Sequence, residues 1–150
     1  MIKLLFVCHG NICRSPMAEF VMKNIVNESG ISDNFYIESA ATSTEEIGNP
    51  VYPPVKARLA KHGIGCKGKT ARQITLDDYD KFDLIIGMDS ENYRNMLRVF
   101  RNDPDDKVHL LMSYAGLDRD VADPWYTRNF EDTWNDVNEG CKALLESLGF

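Results

Sequence analysis

The chain has 150 residues, 43% of them hydrophobic, and a formal net charge of −6 from 17 basic and 23 acidic side chains. That length suits a single domain over residues 1–150, and the acidic balance argues against a general nucleic-acid binder, which carries a basic field. The first residues lack a signal-peptide cleavage site, no apolar run reaches membrane-spanning length, and the four cysteines do not make a secreted disulfide scaffold, so a cytoplasmic protein without membrane insertion is expected.

Ile2 to Cys8 is a nearly continuous apolar run, the pattern of a buried parallel strand. A Gly10-Asn11 turn follows. Ser15 then suits a helix N-cap and Pro16 the first helical position, with Met17, Phe20, Val21, Ile25 and Val26 recurring at helical spacing. Phe35 to Ala40 predicts a second strand, ending near Ser39. Residues 41–54 form a polar loop long enough to line a binding site. A helix is expected from Pro54 to His62, with Val55 and Leu59 inward and Gly63 as its stop. Residues 65–70 read as a basic loop, and Thr75 or Asp77 opens a short helical turn. Phe82 to Gly87 predicts a third strand. Asp89 or Ser90 caps the helix that runs to Phe100. Residues 102–106 make an acidic turn, Val108 to Met112 a fourth strand, and residues 118–124 an acidic loop. Phe130, Trp134, Val137, Cys141, Leu144, Leu145 and Leu148 mark one face of a final helix. Strands alternating with helices imply an α/β fold, a three-layer α/β/α arrangement with a parallel sheet covered on both faces.

The chemistry concentrates between the first strand and the first helix, in Val7-Cys8-His9-Gly10-Asn11-Ile12-Cys13-Arg14-Ser15-Pro16. Ligands of open parallel sheets bind at strand carboxyl ends, and a loop entering a helix gathers backbone N–H groups around an anion. Gly10 permits unusual backbone geometry and Asn11 tolerates the left-handed region. Cys8 stands at the loop base, and Arg14 offers a planar fork to two phosphate oxygens. A helix N-terminus and a nearby cation favour a thiolate, and Ser15 is placed to donate to it. His9, Gly10, Asn11, Ile12, Cys13, Arg14 and Ser15 are thus the phosphate-binding residues expected around a Cys8 nucleophile that attacks phosphorus. A strand-ending cysteine taken alone is more often a small hydrophobe; its place before a Ser-Pro helix start is the more specific signal. Cys8 and Cys13 also permit a metal-pair reading, but Cys66 and Cys141 supply no second close pair, so no metal or cofactor is expected.

With these residues the chain resembles the low-molecular-weight protein tyrosine phosphatases. The likeness continues through Met17-Ala18-Glu19, Ser39-Ala40-Ala41-Thr42-Ser43, His62-Gly63-Ile64, Ala71-Arg72-Gln73-Ile74, Met88-Asp89 and Asp123-Pro124-Trp125-Tyr126. The resemblance implies a four-stranded parallel sheet and hydrolysis of phosphotyrosine in proteins, and of small aryl phosphates, through a cysteinyl phosphate. It implies Asp123 as general acid and base, which the residues alone do not single out. It also supports Cys13 as a reversible redox partner of Cys8. Ile12, Glu45, Trp125 and Tyr126 are expected to line the substrate pocket, with Asn11, Ser15 and Ser39 supporting the loop. Partners follow as a tyrosine-phosphorylated protein or peptide, with inorganic phosphate and oxyanions as inhibitors; a monomer or weak homodimer is expected, with Trp125, Tyr126 and Tyr114 as possible self-association surface.

Three departures from the common pattern stand out. His9 follows the nucleophile and is expected to face solvent at the rim. Thr44-Glu45-Glu46 replaces an aromatic wall with acidic residues, which disfavours acidic phosphopeptides. Lys69 stands near the place of a histidine that supports the loop. Ile12, where arginine-phosphate phosphatases carry a small hydroxyl residue, favours a flat aromatic ester. The rivals are a phosphoarginine phosphatase, an arsenate reductase, which lacks distal resolving cysteines here, and a non-catalytic phosphate-binding module.

Overall fold

The computed structural model describes Met1–Phe150. Four strands, β1 (Ile2–Cys8), β2 (Phe35–Ala41), β3 (Leu84–Gly87) and β4 (Val108–Leu110), form one parallel sheet in the order β2-β1-β3-β4. The helices are α1 (Arg14–Glu28), α2 (Pro53–Lys61), α3 (Leu76–Lys81), α4 (Ser90–Phe100), α5 (Leu111–Tyr114), α6 (Pro124–Thr127) and α7 (Phe130–Ser147). None is long and apolar enough to cross a membrane.

The strand period of two divides the side chains of β1 between two cores. Leu4, Phe6 and Cys8 join Met17 and Met22 of α1 and Val137, Cys141 and Leu144 of α7 on one face. Leu5 and Val7 join Tyr79, Phe82, Met96 and Phe100 on the other. The sheet is therefore the middle of three layers. β1 pairs with β2 from Ile2↔Phe35 to Cys8↔Ala41 and with β3 from Leu4↔Leu84 to Val7↔Gly87. Since the chain leaves β1 for β2 and then crosses back to β3, the strand order reverses beside β1. The carboxyl ends at that reversal open a ligand crevice.

The expected elements stand, with four corrections. Helix α1 begins at Arg14 with Cys13 at the cap position, and no side chain caps it. Ser15 is therefore inside the helix and its hydroxyl turns to Cys8. Pro16 falls third in the helix, still among the first-turn positions whose N–H has no intrahelical acceptor. β3 starts at Leu84, because the Phe82 N–H closes α3 by donating to Asp78 O. β4 stops at Leu110, and Leu111 and Met112 belong to α5. A short apolar run fits a buried strand or a buried helix equally; here Leu111 packs so close to α7 that a Cβ on Gly140 would lie 2.5 Å from Leu111 Cγ. The acidic loop ends in a helical turn, α6, with Asp123 as its N-cap.

Candidate active site

The loop between β1 and α1 curls around the Cys8 sulfur. Its left-handed residue is Asn11, at φ 59°. Gly10 has no such geometry, and a Cβ there would meet nothing closer than Glu46 Cγ at 3.4 Å; neither backbone nor space requires glycine, contrary to the expectation from sequence. Asn11 accepts this conformation because its buried side chain is fully engaged. Its Nδ2 donates to Ser15 Oγ at 2.8 Å and Ser39 Oγ at 2.9 Å. Its Oδ1 accepts the Arg72 N–H at 3.2 Å, and its own N–H points at Cys8 Sγ at 3.3 Å.

The donor directions matter. Asn11 donates to both hydroxyls, so each keeps its own proton for another partner. Ser15 Oγ lies 3.0 Å from Cys8 Sγ and 3.5 Å from the Ala40 carbonyl, so the sulfur is the nearer acceptor for its proton. Ser39 Oγ donates to Glu19 Oε1 at 2.6 Å. Glu19, 4% exposed, is balanced by Lys23 at 2.6 Å and Lys69 at 3.4 Å. Lys69 also donates to the Ser39 carbonyl at 2.7 Å. Burial draws the Lys69 ammonium below its ordinary value, with the Glu19 charge opposing it. Lys69 thus supports the loop from beneath, two residues away from the sulfur.

Arg14 opens α1 and is 4% exposed. Its guanidinium bridges two carboxylates. Nη1 donates to Asp89 Oδ2 at 2.8 Å, and Nη2 lies 3.4 Å from Asp123 Oδ2. Burial opposes its charge, but Cys8, Asp123 and Asp89 together hold it above its usual value. Asp89 serves twice, since its Oδ1 also accepts the Asn92 N–H that caps α4. These groups converge on a cavity of about 350 Å³ whose lining includes Cys8, Ile12, Arg14, Asp89, Asp123 and Trp125. A groove of about 450 Å³ between α1 and β2 is lined by no cysteine and no carboxylate. No three His, Cys, Asp or Glu side chains gather to hold a metal ion.

A family model described as low molecular weight phosphotyrosine protein phosphatase matches residues 3–149. The chain belongs to that family. It is similar to the low molecular weight protein-tyrosine-phosphatase YfkJ of Bacillus subtilis, at 37% identity over 99% of this chain and 96% of the relative; the crystal structure of YfkJ superposes with a TM-score of 0.95 over 99% of this chain and 95% of that one. The rat low molecular weight phosphotyrosine protein phosphatase is 42% identical over 95% of this chain and 93% of its own length. A Drosophila arginine phosphatase is similar in structure, with a TM-score of 0.89 at 30% identity and 99% coverage of each chain. The protein is accordingly a protein tyrosine phosphatase with the four-stranded fold of its family.

Around the phosphatase pocket, the residues expected from sequence come together, with differences of role. Ile12, Trp125 and Tyr126 form the apolar rim. Trp125 is backed by Tyr52, ring centroids 5.4 Å apart, while Tyr126 is 82% exposed. Tyr114 is partly buried against the main core instead of joining that exposed surface. His9 is not idle at the rim: its Nε2 lies 3.0 Å from Glu45 Oε2, so a protonated His9 offsets part of the acidic wall. Cys13 is buried as a free thiol. Burial, then the charges of Cys8 and Asp123, push that thiol up to about 12. Ser39 lies below the loop and lines no part of the cavity.

Three contributors escaped the sequence reading as site residues. Asp89 reads as a helix cap, and only its place after the neighbouring strand hints at a second duty. Glu19 looks like one more polar residue on a helix. Arg72 meets Asn11 through its backbone N–H, which leaves no trace in sequence.

Proposed function

We propose that this protein tyrosine phosphatase works through Cys8 as nucleophile, Arg14 as phosphate binder and Asp123 as proton donor. The observation that carries the reading is the convergence of these three side chains on one cavity at the carboxyl end of β1. Phosphate oxygens enter the curl of the loop, where backbone N–H groups and the helix N-terminus favour an anion. The Arg14 fork, already oriented by Asp89, meets two of those oxygens.

The Cys8 thiolate attacks phosphorus, and the bond from phosphorus to the tyrosine oxygen breaks. Asp123 gives its proton to that oxygen, so tyrosine leaves neutral. The S–P bond of the cysteinyl phosphate is then broken by water. Asp123, now a carboxylate, takes the water proton, inorganic phosphate departs, and the thiolate is restored. Ser15 Oγ, 3.0 Å from the sulfur, steadies it as it leaves. Asn11 and Ser39 hold Ser15 in that orientation. The cycle needs Cys8 reduced, which a cytoplasmic setting maintains, and Cys13 stands in the same loop as its redox partner.

The rim favours an aromatic ester. Ile12 and Trp125 offer apolar surface to a ring, whereas the carboxylates of Glu45, Glu46 and Glu91 on the pocket lining attract a guanidinium and do nothing to exclude it. Discrimination against phosphoarginine therefore rests on Ile12. Steady-state hydrolysis of phosphotyrosine, phosphoserine and phosphoarginine, with Cys8→Ser and Asp123→Ala controls, tests the proposal. Phosphotyrosine as preferred substrate, with no turnover by Cys8→Ser, supports it; faster phosphoarginine hydrolysis, or full activity in Cys8→Ser, rejects it.

A further inference from the structure

Asp123 is presented by residues 115–123, a stretch without strand or helix between α5 and α6. Its carboxylate has two contacts, the Trp125 N–H at 3.0 Å and Arg14 at 3.4 Å. Where it stands therefore depends on the backbone that leads into it. That backbone is tied to α7. Asp136 Oδ2 accepts the Ala122 N–H at 3.0 Å, and Thr133 Oγ1 donates to the Ala122 carbonyl at 2.8 Å. Both polar groups of the residue before Asp123 are thus taken by one helix. Thr133 and Asp136, three positions apart, share a face of α7 and are 0% and 6% exposed. The Asp136 carboxylate also receives both terminal nitrogens of Arg119, at 2.9 and 2.7 Å.

The opposite side of the same stretch is fastened to the end of β3. The Val121 N–H donates to Met88 O at 2.8 Å, and Asp120 Oδ1 accepts the Ser90 N–H at 3.1 Å. Met88 and Ser90 flank Asp89, the partner of Arg14. The loop is therefore strung between the helix that holds Asp136 and the segment that orients the phosphate-binding arginine.

We infer that Asp136 is a positioning residue for leaving-group protonation, clamping Arg119 and Ala122 so that the Asp123 carboxyl stands over the pocket. The inference rests on the proposed role of Asp123. Its physical basis is the fixed geometry of a bidentate arginine–carboxylate pair. A misplacement of about 1 Å at a reacting group costs about a hundredfold in rate, so a loosened clamp is felt at the chemistry. Replacing Asp136 by Asn turns one acceptor oxygen into a donor that faces Arg119 at the Oδ1 position, or Arg119 and the Ala122 N–H together at the Oδ2 position, and one strand of the clamp opens.

The test uses aryl phosphates whose leaving phenols span a range of acidity, read as kcat/KM. A merely structural role lowers stability and leaves the dependence on leaving group unchanged. Asp136→Asn is expected to lower kcat/KM for phenyl phosphate by about tenfold, and for 2,4-dinitrophenyl phosphate, whose phenolate leaves unaided, by no more than about twofold. Arg119→Gln, altering the half-exposed side of the clamp, shows the same steepening to a smaller degree. Asp123→Ala sets the scale: a flat dependence there overturns the assignment of Asp123 itself. A steep Asp123→Ala with a flat Asp136→Asn overturns the clamp alone. Should Asp136→Asn fail to fold, a flat Arg119→Gln overturns it instead.

Discussion

Replacing Asn11 separates the two things that residue does. Asn11→Ala removes three side-chain hydrogen bonds, to Ser15, Ser39 and the Arg72 N–H. At roughly 1 kcal/mol each, their loss costs about 3 kcal/mol. Alanine must also adopt φ 59° without a side chain to compensate, adding about 1 kcal/mol. The sum of about 4 kcal/mol corresponds to a Tm lowered by about 8–16 °C for a domain of this size. Asn11→Gly loses the same hydrogen bonds but enters the left-handed region freely. It is expected to be more stable than Asn11→Ala by about 1 kcal/mol. Both variants release Ser15, so both lose about tenfold in kcat on p-nitrophenyl phosphate. Urea denaturation and steady-state kinetics of the three proteins read these differences. Equal stability of the Ala and Gly variants refutes the strain argument, and wild-type stability of Asn11→Gly refutes the network.

Glu45→Gln removes one charge from the rim and frees His9, so hydrolysis of phosphotyrosyl peptides with acidic flanks is expected to rise about threefold in kcat/KM, while neutral peptides change little; a peptide panel reads this, and an unchanged ratio counts against the acidic wall. Cys13, held up to about 12 by burial and neighbouring charge, is expected to resist iodoacetate at pH 7 while Cys8 reacts; mass spectrometry of alkylated peptides decides, and after peroxide Cys13→Ala is expected to recover less activity with thiol than the wild type. Asp136 and Asp103 are opposed by burial but held below their ordinary values, by Arg119 and the Ala122 N–H, and by Tyr79 and the Lys107 and Val108 N–H groups. The unfolded chain binds those protons first, so their contribution is complete above about pH 5 and lost as pH falls below about 4. Urea midpoints that stay level between pH 6 and 3 contradict that sign.

Much of the fold can be read from β1, because seven residues of continuous apolar character leave little else for Ile2 to Cys8 to be. The phosphate loop is legible for the same reason: Cys8, Arg14 and Ser15 lie close in sequence, and their spacing around a helix start carries the chemistry. Leu111 and Met112 were not legible as a helix, since their apolar character suits either element and their packing partner at Gly140 lies far along the chain. Ser15 looked like a cap because capping hydroxyls and nucleophile-supporting hydroxyls occupy neighbouring positions at a helix start. Asp123 needed the family resemblance, because nothing local separates it from Asp118 and Asp120. Asp136 is the extreme case. Its role depends on which loop α7 happens to face, a matter of tertiary packing that an acidic residue on a helix does not announce.

The most direct measurement is a rapid acid quench of the enzyme mixed with a phosphotyrosyl peptide carrying labelled phosphate, followed by mapping of the labelled site. One phosphoryl group per chain on Cys8, formed as fast as tyrosine is released and absent from Cys8→Ser, is the expected result. Tyrosine release by wild-type enzyme with no phosphoryl group on Cys8, or label carried by any other residue, contradicts it.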